Sequence, residues 1–114
     1  AIIRAKMCEL VATRLKRPQS GNYFTAGLLS MLDALLDRPL EQVLSQMPLS
    51  ADLELALLEG GGDLGGVLYT VKAYDNGRFE EMPAIGLESA DMRAVYLEAL
   101  EWSDMARHSM LSVR

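Results

Sequence analysis

Apolar residues in the stretch 23–47 fall at Phe24, Leu28, Met31, Leu32 and Leu35, and then at Leu40, Val43, Leu44 and Met47. Steps of three and four place such residues along one side of an α-helix, so the pattern predicts two amphipathic helices, each with a stripe that must be buried. The break between them falls at Asp37-Arg38-Pro39. A strand is excluded there, because the adjacent pairs Leu28-Leu29 and Leu35-Leu36 would point to opposite faces of a pleat.

The same rhythm divides the rest of the chain. Ile3, Met7, Leu10 and Val11 share one face of a first helix that ends before Pro18, and Pro-Gln-Ser-Gly-Asn supplies a loop with Asn22 or Thr25 as cap for the second. Helix two is expected to reach about residue 36, with Gly27 inside it admitting close approach by another helix. Pro39 suits the first turn of a short third helix that Pro48 closes. Ser50 caps a fourth, with Asp52 and Glu54 in its first turn and Leu53, Ala56 and Leu57 inward, and Gly60-Gly61-Gly62 stops it.

Leu64, Val67, Leu68, Val71 and Tyr74 then predict a fifth helix closing at Asp75-Asn76-Gly77. Asn-Gly also suits a hairpin, but residues 78–81 make a poor apolar partner strand, so helix is the reading. Residues 79–87 read as an irregular connection anchored by Phe79 and Ile85, with local helix before Pro83 as the alternative. Ser89 caps the last helix, whose inward face is Met92, Val95, Tyr96, Ala99, Leu100, Trp102 and Ala106, and the tail after Arg107 is expected to fray. The fold class is therefore all-α, a single domain of about five to six helices over residues 1–114.

Composition sharpens this picture. Half of the 114 residues are hydrophobic and only 6% aromatic, which suits an aliphatic helical core. A net charge of −5 gives no overall attraction for a phosphate backbone, so nucleic acid is not expected as a partner. The basic cluster at residues 14–17 reads as a solvated helix terminus. No apolar run approaches the ~18 to 20 residues that span a bilayer, and no signal sequence opens the chain, so neither a membrane nor export is expected and the location reads as cytoplasmic. Helical periodicity begins directly at Ala1, from which we expect the chain to be a piece of a longer protein.

Candidate chemistry is sparse. Cys8, the sole cysteine, sits among Met7, Leu10 and Val11 as a small core residue, and His108, the sole histidine, has no metal-binding neighbour. Asp33, Asp37 and Glu41 lack the arrangement of a calcium loop, and the three glycines lack the Lys and Ser/Thr of a P-loop. Neither a nucleophile-base pair nor a dinucleotide fingerprint is present, so no catalytic residue, metal or cofactor is expected. Asp33 stands out because it interrupts an apolar run: it must face water or find a cationic partner, and pairing is preferred to ligand binding.

Three segments, RAKMCELVA (4–12), FTAGLLSMLDALLDRPLEQVLSQMPLS (24–50) and ALLEGGGDLGGVLYTVKAYDNGRFE (56–80), together resemble the C-terminal part of HDOD domains. The likeness is greatest to the branch in which an EAL domain, related to cyclic di-GMP phosphodiesterases, precedes the HDOD domain in bacterial signalling proteins. GLLSMLD (27–33) and residues 56–66 carry it in combination. The resemblance implies an HD-related helical fold and a regulatory unit acting through protein contacts, with the rest of the HDOD domain and any EAL domain upstream. Alternatives are part of an active HD-type metal-dependent phosphohydrolase with ligands upstream, or a pure dimerisation element. Interaction candidates are Asp33, Leu32, Phe24 and Tyr23, and the isolated chain is expected to self-associate through helix one and the stripe of residues 23–36.

Overall fold

The computed structural model describes residues 2–78 and 89–112, without the side chains of residues 33, 34, 89 and 109–112. Its elements are all helices: α1 (Ile2–Arg14), α2 (Ser20–Leu29), α3 (Leu32–Leu36), α4 (Leu40–Leu44), α5 (Ala51–Glu59), α6 (Gly62–Asp75) and α7 (Ser89–Ser112). The all-α class is as the periodicity predicts, and no strand occurs among the described residues. None of these helices is long and apolar enough to cross a membrane.

The structure departs from the predicted helix two in three ways. It starts at Ser20, behind a Gln19 whose backbone is left-handed, so neither Asn22 nor Thr25 caps it. Asn22 instead donates to the Gln19 side chain, and the Thr25 hydroxyl donates to the Gly21 carbonyl. It also breaks at Ser30-Met31, making two helices of one: the buried Ser30 hydroxyl donates to the Gly27 carbonyl at 2.7 Å, and the Met31 N–H bonds three residues back to Leu28. A serine that binds its own helix backbone competes with regular continuation.

The third departure is the buried face. Leu28, Leu35 and Leu36 are 42%, 67% and 52% exposed, so the stripe predicted through Leu28 and Leu35 does not face the core. Tyr23, Ala26, Gly27 and Leu29 face inward instead. The reason is the helix crossing at Gly27, where a Cβ would stand 2.7 Å from the Ala5 Cα and 3.1 Å from the Cys8 Sγ. Backbone contact this close needs the narrow side of α2 against α1, which turns Leu28 outward.

The core and the α5 cap are as the spacing predicts. Met7, Cys8 and Val11 of α1 meet Leu53 and Ala56 of α5, Val67 and Val71 of α6, and Met92, Val95 and Ala99 of α7 in one core. The Ser50 hydroxyl caps α5 by accepting from the Leu53 N–H at 3.3 Å. Gly60 ends α5 in the left-handed conformation, and α6 follows at once because Gly65 lets the turn press against it: a Cβ there would stand 2.3 Å from the Gly60 carbonyl carbon. Residues 67–74 are helical, and Gly77 rather than Asn76 takes the positive φ after α6. The connection at 79–87, with Phe79 and Ile85, and the Ser89 cap side chain lie outside the described residues. Helix α7 runs on to Ser112, where fraying was expected after Arg107.

Candidate functional site

The local backbone between α1 and α2 builds one wall of a cleft. Lys16 and Gln19 both have φ near 58°, and the Arg17 N–H reaches back to the Ala12 carbonyl at 2.9 Å, so the chain reverses within a few residues. Pro18, Gln19, Asn22 and Tyr23 face Asp52 and Leu55 of α5 and Gly61, Gly62, Asp63 and Leu64 at the start of α6 across a space of about 230 Å³. The acidic pair is placed by capping: Ser50 fixes the first turn of α5 with Asp52 in it, and Gly61 opens α6 with Asp63 in its first turn.

Tyr23 is the buried member of this site. It is only 6% exposed and belongs to the core, yet it also lines the cleft, and its hydroxyl makes no hydrogen bond among the described residues. Burial raises the Tyr23 pKa above its ordinary value of 10.0, Asp63 and Asp52 add to the rise, and Arg17 opposes it. Arg17 and Asp63 approach to 3.5 Å with side chains 40% and 65% exposed, a loose surface pair.

The other candidates do not converge on this point. Phe24 is half-buried and meets Trp102 of α7 edge to face, with ring centroids 5.9 Å apart, while Lys6 lies 4.8 Å from the same indole. Leu32 is half-buried on α3 beside the exposed Leu35 and Leu36. Asp33 lies on α3, and its side chain is outside the described residues. Asp52, Asp63, Gln19 and Asn22 are not legible as site residues from sequence, where Asn22 reads as a helix cap and Asp52 as a first-turn acid. The one available signal is a pair of first-turn acids flanking the glycine triplet, which reads equally well as ordinary helix capping.

The basic residues of the cluster, Arg14, Lys16 and Arg17, are exposed, as expected of a solvated helix terminus, and two of them pair across the surface. Arg14 reaches Glu98 at 3.2 Å and Asp91 at 3.8 Å on α7, and Arg17 reaches Asp63 on α6. Cys8 is buried and its thiol is pushed up from 9.0 to about 12, chiefly by that burial, so it is a packing group and not a nucleophile. Among the described residues no group of three or more His, Cys, Asp or Glu is placed to hold a metal ion.

Comparison with known proteins gives two informative relatives. The chain is 36% identical over 104 residues to the uncharacterized protein YuxH of Bacillus subtilis (strain 168), covering 90% of this chain and 25% of that protein. It is 34% identical over 105 residues to the cyclic di-GMP phosphodiesterase CdgJ of Vibrio cholerae serotype O1, covering 88% of this chain and 24% of that protein. The chain thus spans about a quarter of the length of the curated relatives it matches. No protein-family model and no solved structure matches it.

Proposed function

We propose that this chain is a non-catalytic output unit of the HDOD type that works through protein contacts within cyclic di-GMP signalling. The observation that carries the reading is the 34% identity, over 88% of the chain, to a quarter of a protein named as a cyclic di-GMP phosphodiesterase. Contact is favoured over chemistry by the side chains the sequence supplies. A metal-dependent phosphohydrolase needs several protein ligands around its ion, and the chain brings one histidine, exposed on α7, and one cysteine, buried in the core. The unit also self-associates, with the outward leucines of α2 and α3 as the contact.

The test has two arms. Purified chain is incubated with cyclic di-GMP and with nucleotide phosphates in magnesium and manganese, and no turnover is expected. Manganese-dependent hydrolysis that vanishes in Asp33→Ala would overturn the non-catalytic reading. In cells, Leu35→Asp with Leu36→Asp in the full reading frame is expected to change cyclic di-GMP levels, and unchanged levels with unchanged protein abundance would remove the contact reading.

A further inference from the structure

Among the described residues, the Tyr23 cleft brings the polar end of a largely buried side chain together with two acidic residues around open space. The Tyr23 ring is more than nine-tenths buried, and its hydroxyl finds no hydrogen bond among the described residues. The space in front of it, about 230 Å³, is below the ~300 Å³ at which small-molecule pockets usually begin. It is sized for a side chain. Its polar lining is Tyr23, the acidic Asp52 and Asp63, and Gln19 and Asn22, whose amides bond each other, while Leu55 and Leu64 provide apolar wall.

From this geometry we infer that the cleft receives an arginine side chain from a basic segment of a partner protein. This deepens the contact function proposed above and rests on it. The planar guanidinium offers five donors in a fixed fork, which can bridge a phenol oxygen and a carboxylate together, whereas a lysine ammonium is a point charge that cannot span them in one plane. The methylene stem lies along the leucine wall while the charge stays near the acidic mouth. An anion is disfavoured by the two carboxylates, and the chain's net charge of −5 draws a basic segment toward it. The chain's own Arg17 already stands near this mouth, 3.5 Å from Asp63 Oδ2 in an exposed, loose pair. Arg17 is therefore a weak internal competitor.

The experiment is an amide-resolved NMR titration of the whole chain with short Gly/Ser peptides carrying one central arginine, lysine or citrulline. The arginine peptide is expected to shift the amides of Asn22, Tyr23 and residues 61–64, the lysine peptide to do so less, and the uncharged citrulline peptide not at all. Asp52→Asn with Asp63→Asn should weaken arginine-peptide binding about fivefold, and Arg17→Ala should strengthen it about twofold, as surface ion pairs of this kind allow. Tyr23→Phe, which keeps the ring in the core, should weaken it without loss of spectral dispersion. Equal shifts with citrulline or lysine, shifts spread evenly over the surface, or affinity unchanged in the double Asn variant would each overturn the assignment. Hydrolysis of a cyclic dinucleotide would sink the broader contact function while leaving this titration intact. A silent titration would remove the arginine cleft and leave contact through α2 and α3 standing.

Discussion

A single thiol shows how far residue-level reasoning reaches. The neighbours of Cys8 in the sequence place it in the core, and the structure puts it there, 1% exposed against Gly27. Its ionisation then becomes a property of folding. In the unfolded chain the thiol ionises near 9.0, and in the folded one near 12, so the folded state holds the proton more tightly. The resulting stabilisation is fully present below pH 9 and is lost as pH rises toward 12. Unfolding temperature is therefore expected to fall across that range, less steeply in Cys8→Ala than in the natural chain. Tyr23, also raised from 10.0, contributes in the same sense above pH 10, and Tyr23→Phe isolates its share. Parallel curves for all three proteins would show that neither group is coupled to folding in this way.

At the level of helices, type was legible and orientation was not. Apolar spacing marks where helices lie, but it weights large side chains, and the α1–α2 contact is made by small ones. Gly27 was readable as a point of close approach, while the consequence, Leu28 turned outward, depended on which helix arrived there. The break at Ser30 was hidden for a similar reason: serine is neutral in composition and acts only through the carbonyl it finds. Two comparisons test this arrangement. Gly27→Ala gains helix propensity but forces a Cβ against the Ala5 backbone, and a net loss of about 1 to 2 kcal/mol is expected because the neighbour is main chain and cannot rotate away. Leu29→Asp should cost several kcal/mol by burying a charge, whereas Leu28→Asp should stay within about 0.5 kcal/mol. Denaturant unfolding of the three variants decides it, and a Leu28→Asp loss equal to that of Leu29→Asp would restore the stripe expected from sequence.

For the whole molecule, the candidate cleft was beyond sequence reasoning because its parts come from the α1–α2 loop, α5 and α6, and only packing brings them together. The apolar surface has the opposite history, since one was expected from the leucine-rich stretch and exposed leucines are there, but on a different face. The apolar face of α1 is occupied within the chain, with Met7, Cys8 and Val11 at 0 to 1% exposure, so helix one has little to offer a second copy. Leu28, Leu35 and Leu36 remain outward on α2 and α3, and α3 packs mainly on the short α4 rather than on the central helices. A twofold contact presents one such patch twice, and enlarging it toward the ~1,200 to 2,000 Å² of stable interfaces requires the flanking half-buried surface as well. Light scattering of the natural chain should accordingly show mass rising with concentration. Leu35→Asp with Leu36→Asp should return it to monomer without lowering the unfolding temperature, because neither side chain supports the core. Leu97→Asp, on an equally exposed leucine of α7, should leave the association intact. A natural chain that stays monomeric at high micromolar concentration would reject self-association, and equal loss in the α3 and α7 variants would show that general stickiness, rather than this patch, holds the copies together.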